Sequence, residues 1–241
     1  RFAAQAYQTF VLRYTTLFQE HVPDLARRPS VDGRSVFPQP LFDLATAIVT
    51  VRRRAAEWHV DPDRIAVAGF SAGGHLAASL GVHWADAFLR EKLNVDQALL
   101  RPNALILGYP LVDHEETLEA PDAVFIDLVY QAFFGTRHPT AEERRSRSPV
   151  RFVSSDTPPT FLWHTADDEL VHARHSMKWA LALAEHRVPY ELHVFESGVH
   201  GLSLADETSA ATEAHVNPGC QPWIDLASAW LRNRFRRGGT A

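Results

Sequence analysis

Three residues of this 241-residue chain have types and spacing suited to nucleophilic chemistry. Ser71 stands in Gly69-Phe70-Ser71-Ala72-Gly73, directly after the apolar run RIAVAGF (64–70) and directly before the helix-forming run AGGHLAASLGVHWADAFLREKL (72–93). This is the G-x-S-x-G pattern in the strand–turn–helix setting that it requires. So tight a turn predicts that side chains at the flanking positions, Gly69 and Gly73, would strike neighbouring backbone. It also predicts a strained serine whose oxygen stands above a sheet. A helix starting at Ala72 would place its positive end below a developing oxyanion. Ser, Gly and Ala are also ordinary turn residues, so the stretch gains meaning only if a base and an acid occur later in the chain.

A serine hydroxyl is a weak nucleophile at neutral pH. It needs an imidazole to take its proton and a carboxylate to orient that imidazole. In a chain alternating strands and helices the order is Ser, then Asp or Glu, then His, each in a loop after a strand. TFLWHTADDELVHARHS (160–176) supplies the acid. Asp167 and Asp168 both qualify by type. Asp168 is favoured because the apolar pair Leu170-Val171 anchors the chain just after it, which leaves Asp167 as a turn or cap residue. FESGVHGLSLAD (195–206) supplies the base, His200. Of the 13 histidines, only His200 has this order and setting. His75 falls on the first turn of the helix after Ser71 and is a candidate for shaping the pocket. His164 ends a strand and is expected to be buried and hydrogen-bonded, and His193 lies inside a strand. His83, His114, His138, His172, His175, His186 and His215 have no motif around them and are expected at the surface.

The elements that must position these groups can be read from periodicity and breakers. Strands are expected at 7–15, 64–70, 101–110, 157–165 and 189–197. Helices are expected at 41–59, 72–93, 171–187 and 222–235, and a polar, Pro-bearing loop at 16–40. Strand–helix alternation at this spacing predicts an α/β fold, a mostly parallel sheet with helices on both faces. The expectation is one domain over 1–241, with the mixed stretch 111–148 as a partial cap over the sheet's carboxyl edge. Tyr109, Pro110 and Leu111 come after a central strand at that edge, where open sheets bind ligands, so Tyr109 and Leu111 join His75 as pocket candidates. Phe133 and Phe134, in the cap, would either wall an acyl site or simply pack.

Composition narrows the classes. With a net charge of −5 and a pI near 6.2, no basic patch argues for nucleic acid. The clusters Arg52-Arg53-Arg54 and Arg144-Arg145 read as solvated helix faces. The single cysteine, Cys220, allows neither an internal disulfide nor a Cys-rich metal site. No apolar run approaches 18 residues, so no membrane span is expected, and the absence of a signal-peptide pattern gives a cytoplasmic expectation. The chain starts at Arg1, and RFAAQAY reads as the tail of a helix already under way.

GFSAGGHLAASLGVHW, LILGYPLVD, TPPTFLWHTADDELV and FESGVHGLSLAD, in that order, resemble the α/β-hydrolase fold esterases. The likeness is to the bacterial acetyl-xylan-esterase-like or carbohydrate-esterase-like lipase and esterase branch, and it extends over about residues 7–235. It implies Ser71 as nucleophile, Asp168 as acid, His200 as base and the Ala72 backbone N–H as an oxyanion donor. The implied substrates are short-chain carboxylic esters, including acetyl groups on sugars, with no metal or organic cofactor. Such esterases carry a Gly-rich loop, of HGGG or PGGG type, upstream of the strand expected at 7–15. Here only the helix tail precedes that strand, so the expectation is a fold lacking its N-terminal strands. The second oxyanion donor would then come from a longer parent chain, a companion segment or another subunit. Two alternatives stay open: a degenerate hydrolase fold serving as a binding or scaffold protein, and a peptidase of the prolyl-oligopeptidase type.

Overall fold

Four short runs of apolar residues form the sheet in a computed structural model that describes residues 1–17, 35–116 and 123–237. They are β1 (Ala66–Phe70), β2 (Ala104–Gly108), β3 (Thr160–Thr165) and β4 (Tyr190–Phe195). All pair in parallel, in the order β1-β2-β3-β4. Parallel neighbours need long crossovers. These contain α2 (Ala72–His83) and α3 (Ala87–Leu93), then α4 (Ala123–Phe134) and α5 (Ala141–Ser146), then α6 (Arg174–Glu185). Helix α1 (Gln39–Arg53) precedes the sheet and α7 (Trp223–Arg237) closes the chain after it.

Every residue of β2 and β3 is buried, as central strands covered on both faces require. Their alternate side chains supply two cores. Leu105, Leu107 and Leu162 point to the face covered by α1, α2 and α6, packing with Leu41, Leu80 and Trp179. Ala104, Ile106, Phe161 and Trp163 point to the opposite face, where α7 brings Trp223, Ala227 and Leu231. The Trp163 and Trp223 rings stack there, with centroids 5.0 Å apart. The period of two in each strand is thus what puts helices on both sides.

Three expectations need correction. Residues 7–15 form no strand; they run outside the sheet, with Tyr7 Oη donating to the Ser228 carbonyl and Thr15 N–H to Asp43. β-Branched and aromatic residues favour a strand only where a ladder partner is available, and both of these long-range bonds go to helices. The single helix expected over 72–93 is two. Trp84 caps the first, its backbone still helical and its indole N–H donating to the Asp156 carbonyl, and Asp86 is extended, its carboxylate 2.7 Å from His83 Nδ1. Arg52 is no solvated residue: its guanidinium donates to the carbonyls of Pro62, Leu99 and Arg101, tying the end of α1 to the loops around β2. The loop expected at 16–40 lies mostly outside the described residues, as do residues 117–122 of the 111–148 stretch.

The turn from β1 into α2 is crowded, but not at both expected glycines. A Cβ on Gly69 would sit 2.1 Å from the Gly73 carbonyl oxygen. A Cβ on Gly73 would meet nothing within 4 Å, whereas one on Gly74 would lie 2.8 Å from Pro110 Cβ. The second close approach is therefore between α2 and the loop after β2, one residue later than the motif marks. Gly69→Ala should destabilise the protein by about 3 kcal/mol, as overpacking against fixed backbone does. Gly73→Ala should be neutral or stabilising by up to about 1 kcal/mol. Urea titration of the two variants reads the difference, and equal losses would contradict this account of the turn.

Candidate active site

Ser71 occupies the turn with φ 51° and ψ −118°, a left-handed conformation unusual for a residue with a side chain. Backbone bonds hold it there: its N–H donates to the Gly108 carbonyl and its carbonyl accepts from His75 N–H, both at 3.0 Å. The loops after β3 and β4 bring Asp168 and His200 to the same edge. His200 Nε2 lies 2.8 Å from Ser71 Oγ, and His200 Nδ1 lies 2.7 Å from Asp168 Oδ2. An ionised carboxylate only accepts, so Nδ1 carries the ring proton and Nε2 is free to accept from the serine hydroxyl. Residues separated by 129 and 32 positions are thus joined in one hydrogen-bonded chain.

Asp168 is 1% exposed. Burial alone would raise its carboxyl pKa, yet the hydrogen bonds from His164 and His200 outweigh it and hold the group below the usual carboxylate range. Its Oδ1 also accepts from the N–H groups of Leu170 and Val171, at 3.0 and 2.9 Å. Asp167, the other acid of the pair, is exposed and does something else. Its Oδ1 accepts from Gly198 N–H, and Thr165 Oγ1 donates to the Gly198 carbonyl. Together they brace the loop that carries His200.

The pocket candidates divide. Tyr109 is buried under His200, their ring centroids 5.0 Å apart at 71°. Its hydroxyl accepts from Ser203 N–H, and burial pushes the phenol up to about 12, so it stays protonated. It supports the histidine loop. Leu111 is buried with Val171 beneath α4, beside Ile126, Val129, Phe133 and Leu170; α4 therefore packs on the acid loop. His75 does line a cavity of about 130 Å³, with Tyr14, Phe37, Leu41, Ala72 and Phe133. Ala72, whose N–H begins α2, follows Ser71 in the chain and is one of the residues lining that cavity. Phe133 both lines the cavity and packs edge-on against His75 and His114, while Phe134 packs on His114.

Two histidines expected at the surface are core residues: His114 is 2% and His175 1% exposed. The sequence around them carries no motif, and only a contact could have placed them. His75 Nε2 donates to the Arg147 carbonyl at 3.0 Å and lies 3.2 Å from His114 Nε2, which must then be the acceptor tautomer. Arg147 itself donates to the Phe133 carbonyl, so this cluster joins α2 to α4. His175 Nδ1 accepts from Asp113 N–H at 3.2 Å. Cys220 is buried, and burial pushes its thiol up to about 11, which makes it an inert core residue. Among the described residues no cluster of His, Cys, Asp and Glu is arranged to hold a metal, and no helix is long and apolar enough to cross a membrane.

Burial holds His75 down to about 4 and His114 well below 6.5. Each ring binds its proton more readily in the unfolded chain. The stability they contribute is therefore complete above about pH 6.5 and is lost as pH falls through that window toward 4. Folding free energy should fall there by up to about 1.4 kcal/mol per pH unit for each such ring. In His114→Phe the slope should be shallower by one ring's share. Denaturant titrations between pH 7 and 4.5 measure both slopes, and identical slopes would show that His114 is not buried in its neutral form.

Comparisons with known proteins show the family to which this fold belongs. The BD-FAE family model matches residues 28–183. Endo-1,4-beta-xylanase B of Butyrivibrio fibrisolvens is 32% identical over 86% of this chain and 29% of its own length. This chain spans less than half the length of that relative and of the next two curated relatives, at 29%, 43% and 45%. A sugar hydrolase from Lactococcus lactis superposes with a TM-score of 0.73 at 32% identity, covering 98% of this chain and 80% of that one. An acetyl ester-xyloside bifunctional hydrolase from Caldicellulosiruptor lactoaceticus gives 0.65 at 37% identity, covering 82% and 66%. With well over half its residues matched to one esterase family and its parallel sheet superposing on solved hydrolases, the chain belongs to the BD-FAE family of α/β-hydrolase esterases.

Proposed function

We propose that the protein is a serine carboxylic-ester hydrolase that works through an acyl-enzyme, with short-chain esters, including acetyl groups on carbohydrates, as substrates. The observation that carries this reading is the chain Ser71 Oγ–His200–Asp168, with both links under 3 Å. Ser71 Oγ attacks the ester carbonyl as His200 Nε2 takes its proton. Asp168 orients the ring and stabilises the imidazolium. The Ala72 N–H, at the positive end of α2, donates to the oxyanion. His200 then protonates the leaving alcohol, leaving an ester on Ser71. A water gives its proton to the same nitrogen, attacks that ester and releases the acid.

The substrate class rests on two supports. A largely apolar cavity lies beside Ala72, the residue that follows the nucleophile. Relatives named for xylan and for acetyl ester-xyloside hydrolysis lie within 32–37% identity. Ser71→Ala should reduce kcat/KM on p-nitrophenyl acetate by about 10⁴-fold or more, with an unchanged circular-dichroism spectrum and melting temperature. Turnover retained in that variant well above the buffer rate would refute the assignment.

A further inference from the structure

His164 is fully buried beside the acid and has no part in the steps above. It lies in β3, four residues before Asp168. Its Nδ1 is 2.8 Å from the Ser176 hydroxyl on α6, and its Nε2 is 2.7 Å from the Val171 carbonyl. A carbonyl only accepts, so in the neutral ring the proton is on Nε2, and Nδ1 accepts from Ser176. That protonated nitrogen also lies 3.4 Å from Asp168 Oδ2, the oxygen that His200 uses. Oδ1 has two backbone donors of its own. The carboxylate is thus surrounded: two amides on one oxygen, two imidazoles on the other.

We propose that His164 is a positioning residue: its Nε2–H, donated to the Val171 carbonyl, also faces Asp168 Oδ2 as the longer arm of a three-centre contact and so limits how strongly that oxygen attracts the His200 proton. An acceptor engaged by two donors offers less negative charge to each. In a site that water does not reach, no solvent donor makes up the difference. Ser176 and Val171 fix the ring from both sides, so it cannot turn away. Bearing on catalysis, this rests on the roles proposed for Asp168 and His200; the coupling between the two rings does not. A ring that merely filled space between β3 and α6 would leave His200 indifferent to its replacement by phenylalanine.

The test titrates the His200 ring by NMR in the wild type, His164→Gln and His164→Phe. The titratable groups near His200 are Asp168 and Asp167 on the acid loop, Tyr109 after β2, Glu196 on its own loop, and His215, whose Nε2 lies beside Gly201 and whose ring signals are assigned separately. All are kept in the variants. His175 on α6 neighbours His164 and is held down to about 4 by burial, so it stays neutral through a titration from pH 5 to 9. Glutamine keeps an N–H donor and should leave His200 near its wild-type midpoint. Phenylalanine removes the donor and should raise the midpoint by roughly half a pH unit or more. The acid limb of kcat/KM on p-nitrophenyl acetate should move the same way, with KM unchanged. Equal midpoints in wild type and His164→Phe would overturn the proposal. The titration needs no turnover, so a protein without esterase activity would sink the functional reading and leave this one still decidable. Should the Phe variant fail to fold, ¹⁵N shifts of His164 in the wild type decide instead. An Nε2–H whose ¹⁵N shift moves as His200 titrates supports the proposal; a shift that stays fixed, or the Nδ1–H tautomer, which would turn a lone pair toward the carboxylate, overturns it.

Discussion

A carboxylate buried to 1% exposure and still ionised is the constraint around which this structure is arranged. Taking such a charge out of water costs several kcal/mol unless hydrogen bonds replace the solvent. Asp168 has them: two backbone N–H groups on Oδ1, His200 on Oδ2 and His164 close by. The charge then does two things. It selects the tautomer of His200 that leaves Nε2 open toward Ser71, and in the proposed mechanism it stabilises the imidazolium formed when the serine loses its proton.

The fold makes that arrangement by ending its parallel strands at one edge. β1 ends in the turn that holds Ser71, β3 leads to Asp168 and β4 leads to His200. β2 leads into three supporting residues: Tyr109 beneath the His200 ring, Pro110 against Gly74, and Leu111 under α4. None of these touches is chemical, yet each fixes a distance on which the chemistry depends. Bonds of 2.7 and 2.8 Å between residues on different loops survive only on a rigid frame. Here the frame is the stacked Trp163–Trp223 core on one face and the leucine core of α1, α2 and α6 on the other.

Local pattern specifies the features that were legible in the sequence. The strands within 64–70, 101–110 and 157–165 come from periodicity and breakers, and the glycine-flanked serine and the order of acid and base from a local motif in its strand–turn–helix setting. The preference for Asp168 over Asp167 also had a local sign, the apolar anchor Leu170-Val171; in the structure Asp168 is the buried one and Asp167 braces Gly198. The features that stayed hidden depend on contacts between distant segments. His114 and His175 look like any polar residue in the chain and become core residues only because His75, Ser148 and Asp113 offer them partners. Residues 7–15 show the converse: strong strand propensity, with no ladder partner among the described residues. Tyr109 sits where ligands bind in open sheets, and only its contact with Ser203 and His200 shows what it supports.

The central claim is that burying one carboxylate, through one imidazole, turns an ordinary alcohol into a nucleophile. Reaction with a fluorophosphonate, with the adduct then located by peptide mapping, tests this most directly, because the probe needs the activated oxygen and no particular ester. A single adduct on Ser71, formed at a rate that falls with protonation of His200 and vanishes in Asp168→Asn, is the predicted result. A well-folded protein that takes up no probe, or that takes it up on another residue, would contradict the account.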